Sequence, residues 1–304
     1  MAHSHPPVRH IDGKLIASIA VNVLITAVQV VGGVLSGSLA LIADALHNVT
    51  DVASLGLSLL AVRVARRPAD ERYTFAYRRA EVLAAAVNAA VLIAIATYVA
   101  YEAVLRIANP TPVGGTIMMI AAAFGAVANG GAALLLRSGG RNLNIRSAML
   151  HLVSDSVASV GVVAAGLAIQ LWGLYIIDPL ISLALAVWMI RESWRLVARA
   201  ARILMQGVPE DLDIAAVRAE LLAIEGVADL HDLRVWAMSS SDVVLSVHLV
   251  VDRTAICDAT VVTAEAKTRL HDRFGVEHAT IETECTGGAC ASLACPHVEG
   301  VDHG

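Results

Sequence analysis

The sequence predicts an α-helical membrane protein with six transmembrane helices followed by a small α+β domain, and three observations carry that prediction. The chain has 304 residues, 57% of them hydrophobic and 16% charged, and its mean hydropathy of +0.68 is too high for a soluble protein of this length. Apolar runs long enough for a hydrocarbon core, which needs about 20 helical residues, occupy 14–35, 39–64, 79–105, 112–136, 146–170 and 176–198. After Gln206-Gly207-Val208-Pro209 the composition becomes that of a soluble domain.

The elements follow in order. The opening "MAHSHPPVRH" is short and polar, a tail of residues 1–13. The first apolar run, Leu15 to Leu35, exceeds a signal-peptide core and is followed by more of its kind, so it is expected to be a permanent span. Basic residues fall on alternate sides: Arg9 and Lys14; Arg63, Arg66, Arg67, Arg72, Arg78 and Arg79; Arg137, Arg141 and Arg146; Arg191, Arg195, Arg199 and Arg202. The opposite loops carry essentially Arg106, which predicts cytoplasmic termini for a membrane domain over 14–206. In 207–284, "DLDIAAVRAELLAIEG" has helical periodicity, "ADLHDLRVWAM" and "DVVLSVHLVVD" alternate as strands, "ATVVTAEAKTRLHDRF" is helical and "HATIETE" closes as a strand. The order α-β-β-α-β predicts a compact α+β fold with its helices on one face of a small sheet. Residues 285–304 form a Cys- and His-bearing tail without periodicity.

Charge excludes one class of partner. The net charge is −5 and the basic residues sit in short loops, so no nucleic acid is expected. Cys257, Cys285, Cys290 and Cys295 all lie late in the chain, which fits reduced thiols or metal ligands better than a disulfide framework.

The chemistry lies inside two of the apolar runs. His47 and Asp51 are four apart and share one face of the second span, and "MLHLVSDSVAS" repeats the pattern in the fifth span with His151 and Asp155. A single pair reads equally well as a polar contact between helices. Two matched pairs at membrane depth, where ionisable groups are costly, point to a ligand set. If the two spans pack together, two imidazoles and two carboxylates converge, a set that suits Zn²⁺ and for which Co²⁺, Cd²⁺, Ni²⁺, Fe²⁺ or Mn²⁺ would compete. Asp44, one turn before His47, reads as a supporting group that orients His47, with ion steering at the entrance or a place at the interface as alternatives. Asn22, Asn88 and Asn129 are expected to hydrogen-bond between helices.

On "SGSLALIADALHNVTD", "RYTFAYRRAEVLAAAVNA", "NLNIRSAMLHLVSDSVASVGV", "DPLISLALAVWMIRESWRLV" and "HDLRVWAM", which together span most of the chain, the sequence resembles the cation diffusion facilitator family in its bacterial zinc-exporter branch, related to animal zinc transporters. The resemblance implies a proton-coupled divalent-metal exporter of the bacterial inner membrane, working as a homodimer with a cytoplasmic ferredoxin-like, metallochaperone-like domain. It implies a transport site of His47, Asp51, His151 and Asp155, with His47 favouring zinc over cadmium. A second family site, in the loop between spans two and three, is expected to be absent, because Asp70 is retained while Tyr73 and Tyr77 stand where histidines would be. A regulatory metal is expected at His231, His248, Glu282, Glu284 and Cys285, against the alternative that these histidines are ordinary strand residues. Cys290, Cys295 and His297 read either as a metal-capturing tail or as a plain terminus, as do His3, His5 and His10.

Two rival classes remain to be weighed. A membrane metalloenzyme would need an open-sided zinc and a general base, and no H-E-x-x-H is present. A metal-permeable channel wants weak binding and rapid exit, whereas four titratable ligands favour a carrier.

Overall fold

The computed structural model describes residues 13–65, 67–137, 143–252 and 259–285. Two compact units result, one from Met1–Ala61 with Ala84–Val197 and the other from Val62–Leu83 with Ala198–Gly304.

The first unit is built on six helices: α1 (Gly13–Ser36), α2 (Leu39–Ala65), α3 (Ala80–Ala108), α4 (Gly115–Arg137), α5 (Leu143–Trp172) and α6 (Ile177–Leu204). By length and composition α3, most of α4 and Met149–Trp172 of α5 are each able to cross a membrane, while Val21–Ser36 and Leu39–Thr50 are shorter apolar stretches within α1 and α2. In α6 the charges of Asp178, Arg191, Glu192 and Arg195 leave only a short uncharged run. Six helices therefore stand where six spans are expected, and three of them are self-sufficient as spans among the described residues.

Their interiors are apolar and small. Ala40 and Leu41 of α2 pack with Met118, Ala121 and Ala122 of α4 and with Val162, Ala165 and Ile169 of α5. On the other side of α2, Leu39 and Ala43 meet Ala96, Val99 and Ala103 of α3 and Ala186 and Met189 of α6. Small residues let helix backbones approach where lipid removes the hydrophobic drive for association. Val127, Leu134, Val157 and Leu180 point outward, as suits a hydrocarbon surround.

The turn between α1 and α2 is tied to three other parts of the chain. Gly37 takes φ +71°, a conformation that favours glycine, and its carbonyl accepts from the Arg106 guanidinium at 2.7 Å. The carbonyl of Ser36 accepts from the Gly114 amide at 2.8 Å. Asp178 of α6, fully buried, accepts from Ser38 Oγ at 2.5 Å, the Leu39 amide at 2.9 Å and the Ala40 amide at 3.3 Å. A carboxylate from one helix thus caps the first turn of another, satisfying amides that have no intrahelical acceptor.

The second unit holds α7 (Ile214–Leu222), β1 (Val227–Ala237), β2 (Val243–Val251), α8 (Ala259–Phe274) and β3 (Val276–Cys285). Asp213 caps α7 by accepting from the Ala215 amide. The sheet order is β1-β2-β3, antiparallel between β1 and β2 and parallel between β2 and β3. Leu245, Val247 and Leu249 of β2 join Val217 and Leu221 of α7 and Val262, Ala266 and Leu270 of α8 in one core. The intervening β2 residues, Ser246 and His248, face the opposite side of the sheet by strand alternation.

Removing the interhelix cap tests this reading. Asp178→Ala should cost about 2–4 kcal/mol through loss of the cap and orphaned buried donors, and Asp178→Asn should cost less. Thermal unfolding of the detergent-purified chain measures both.

Candidate metal centres

Helical spacing and helix pairing together assemble the first centre. On α2, positions 44, 47, 48 and 51 share one face, and on α5 positions 151, 155 and 159 do the same. Asp155 is 4% exposed, and its carboxylate lies between two imidazoles. Its Oδ1 is 3.7 Å from His47 Nε2 across the helix pair, and its Oδ2 is 3.5 Å from His151 Nε2 one turn earlier. The imidazole rings are 6.1 Å apart, and Trp188 of α6 stands 5.5 Å from His47. Asp51 follows His47 by one turn on α2, and its side chain lies outside the described residues.

The separations carry the chemistry. An N–H···O hydrogen bond runs at about 2.9 Å, while ligands about 2.0–2.1 Å from a tetrahedral zinc stand about 3.3 Å from each other. The gaps of 3.5 and 3.7 Å therefore match neighbouring ligands around one ion better than a hydrogen-bonded network.

One turn along the same faces is a polar cluster that the sequence reading only half found. Asp44, 4% exposed, accepts at Oδ2 from Gln29 Nε2 at 2.6 Å and from Ser159 Oγ at 3.0 Å. Asn48 Nδ2 in turn donates to Gln29 Oε1 at 2.8 Å. The carboxylate of Asp44 so joins α1, α2 and α5. A Cβ at Gly125 of α4 would lie 2.7 Å from Gln29 Nε2, so the bare backbone there makes room for the cluster. The interhelical role expected of Asn22 and Asn129 falls to Gln29 and Asn48. Among the described residues Asn22 Oδ1 and Asn129 Nδ2 are buried without a hydrogen-bond partner. Asn48 and Ser159 had a legible signal, since both continue the polar faces defined by the His/Asp pairs.

The second centre lies on the sheet face away from the helices. Strand register sets His231 of β1 opposite His248 of β2, and His248 opposite Glu282 of β3. A bulge follows His231, where Asp232 takes φ +49° and accepts from Arg234 Nε at 2.7 Å. The imidazoles of His231 and His248 are 5.1 Å apart, with Glu284 Oε1 at 3.4 Å from His231 Nε2 and 3.0 Å from His248 Nδ1. Ligand atoms of these three residues all fall within 4.8 Å of one another. Glu282 is placed differently: its Oε2 is 3.5 Å from His248 Nε2, the far nitrogen. Cys285 ends β3 with its side chain outside the described residues, as are Cys290, Cys295, His297, His3, His5 and His10 altogether.

In the loop after α2, the Asp70 carboxylate accepts from the amides of Tyr73 and Arg72 at 2.7 and 2.8 Å and from the Tyr77 hydroxyl at 3.0 Å. The Tyr73 amide, then that of Arg72 and the Tyr77 hydroxyl, hold its pKa below the ordinary 3.8. The turn therefore keeps this support at neutral pH and loses it only as acid protonates the carboxylate below that value. Tyr77, donating to the same carboxylate, has its phenol pushed up.

Residues 15–205 match the model of the cation efflux transmembrane domain, and residues 209–285 that of the cation efflux protein cytoplasmic domain. The chain belongs to the cation efflux family. Relatives include the metal cation efflux system protein CzcD of Cupriavidus metallidurans, 39% identical over 93% of this chain and 89% of its own. The zinc transporter ZitB of Escherichia coli is 38% identical over 95% of this chain and 96% of its own. A Bacillus subtilis protein named cadmium, cobalt and zinc/H(+)-K(+) antiporter is 37% identical over 90% of this chain and 89% of its own. As a cation efflux protein the chain is a divalent-metal exporter and not an enzyme, with a helical transmembrane domain and a cytoplasmic domain built on a small sheet.

The polar cluster beside the first centre can be tested apart from transport. Gln29→Leu removes one donor from Asp44 and the acceptor of Asn48, and is expected to cost about 1–3 kcal/mol. A lowered unfolding midpoint in detergent would show it, and an unchanged midpoint would mean the cluster contributes nothing.

Proposed function

We propose that this cation efflux protein exports Zn²⁺ from the cytoplasm in exchange for protons, with His47, Asp51, His151 and Asp155 as the transport ligands. The observation that carries the reading is the Asp155 carboxylate shared between imidazoles from two helices at ligand spacing. Two imidazoles and two carboxylates supply four N/O donors, and the carboxylates offset the cost of a dication in low dielectric. Spans α1 to α6, cytoplasmic termini, the bacterial inner membrane and a homodimer complete the proposal. The membrane domain covers 14–206, the cytoplasmic domain 207–284 and the tail 285–304.

Coupling follows from competition for the same atoms. Zinc binds deprotonated ligands, so loading from the cytoplasm displaces protons. An imidazole with an ordinary pKa of about 6.5 regains its proton on the more acidic side and expels the metal, after which the protonated site returns. Rocking of helix groups about a midplane site provides the alternation. Cadmium and cobalt, which appear beside zinc in the name of the Bacillus subtilis relative, are the competing cargoes, with Ni²⁺, Fe²⁺ and Mn²⁺ open to the same ligands.

In the cytoplasmic domain His231, His248 and Glu284 provide three converging donors for a regulatory Zn²⁺. Glu282, on the far nitrogen of His248, orients that ring. Cys285 and the tail residues Cys290, Cys295 and His297 are available as further donors.

Proteoliposomes holding a fluorescent chelator test the transport reading. Zinc uptake should rise when the lumen is acid and collapse with a protonophore; flux indifferent to the gradient would replace antiport with facilitated diffusion. Asp155→Ala should abolish uptake while the protein elutes as a single species, and retained flux would remove Asp155 from the site. Separately, Glu284→Gln should lower the zinc retained by the full chain after dialysis by about one ion per protomer, three protein donors being the usual minimum for a held zinc.

A further inference from the structure

The segment joining α2 to α3 has a charge that its own surroundings do not neutralise. Arg63, Arg67 and Arg72 are exposed, and none of them has an acidic partner among the described residues. Arg79 is half-buried, with its Nε shielded from solvent and without a partner. Arg78 alone of the five described arginines forms an ion pair, to Asp242 Oδ2 at 2.7 Å. Of the three acids in this stretch, Asp70 and Glu81 are held by neutral donors, while Glu71 is exposed and forms no ion pair among the described residues. Asp70 is held by two amides and Tyr77, and Glu81 accepts from Ser240 through its amide at 2.9 Å and its hydroxyl at 2.6 Å.

This charge is also shaped. Arg67, Thr74 and Arg78 line a cleft of about 610 Å³ with His278 and Glu277 of β3 and the ring of Phe75. Glu277 is the acid of that lining, set against two guanidiniums and an imidazole. Phe75 packs edge-on to His278 at 5.9 Å, and the Tyr73 ring lies tilted against Tyr77 at 4.6 Å. Both Tyr73 and Phe75 keep about half of their surface exposed, at 52% and 47%. The turn that presents them is built rather than slack, with Ala76 at φ +58° and Asp70 at its base.

Covalent placement supplies the remaining argument. Arg67 lies two residues after α2 and Arg79 immediately precedes α3, so with α2 and α3 as spans, the reading proposed above on which this inference rests, the two ends of the connection leave the bilayer at its headgroup layer. Exposed aromatic rings beside unpaired guanidiniums are the pairing that a headgroup layer accommodates. We propose that the α2–α3 connection binds the phosphodiester of an anionic phospholipid, with Arg67 and Arg72 as its principal charges and Phe75 beside the acyl chains. The site is separate from the metal ligands, and its test does not depend on transport.

The experiment is native mass spectrometry of the full chain, stripped of lipid in neutral detergent and given equal amounts of phosphatidylglycerol and phosphatidylcholine. The wild type should retain phosphatidylglycerol preferentially, and the preference should shrink on raising the ionic strength before spraying. With about 1 kcal/mol per arginine at a membrane surface, Arg67→Gln with Arg72→Gln should lower that preference by about tenfold or more. Arg67→Lys with Arg72→Lys should restore most of it, which guards against a loss caused by misfolding. Equal retention by wild type and the glutamine variant would overturn the proposal and leave these arginines as an orientation signal. Displacement of the lipid by inorganic phosphate at matched concentration would also overturn it, in favour of a site for free anions.

Discussion

A carboxylate removed from water must be compensated, and within a helical unit meant for hydrocarbon that constraint organises most of what is distinctive here. Asp178, Asp155 and Asp44 are all buried, and each is answered in a different way. Asp178 is met by backbone amides and a serine hydroxyl at the start of α2. Asp44 is met by a glutamine amide and a second serine hydroxyl. Asp155 is met by two imidazoles held slightly too far away to be hydrogen-bonded. The first two solutions use groups with no charge state to change. Only the third uses imidazoles, a side-chain type able to exchange a proton for a metal ion, and this sets the candidate centre apart from the other two.

Much of this was legible in the sequence because it rests on local periodicity. The repeated His and Asp at a spacing of four fixed a face on each of α2 and α5, and hydropathy placed all six helices with ends shifted by a few residues, as with α3 reaching Ala108 rather than 105. Asp213 ends one such discrepancy: by capping α7 it starts the helix at Ile214, within a longer stretch of helical pattern. The α-β-β-α-β order was likewise readable from the change of period between 3.6 and 2.

What escaped was pairing across long sequence separations. Asp178 sits next to Pro179 and reads as an ordinary acidic first turn of its own helix, yet its acceptor capacity is spent on residues about 140 positions earlier. Gln29 is visible as a polar residue in an apolar run, but nothing local distinguishes it from Asn22, and only one of them finds partners on another helix. In the sheet, the family resemblance named His231, His248, Glu282 and Glu284 together, while the split of the two glutamates between opposite nitrogens of one ring depends on register. The choice between ligand and orienting group is made by three-dimensional position.

The tied turn at Ser36–Ser38 has a mechanical consequence. With α2 anchored at Leu39, the lever arm to His47 is about 12 Å and that to Ala61 about 33 Å at 1.5 Å per residue. A tilt of about 10° about the anchor would carry His47 about 2 Å and Ala61 about 6 Å along their arcs. A shift of about 2 Å equals a whole metal–ligand bond, so a tilt of that size about the anchor would draw His47 out of ligand spacing with Asp155.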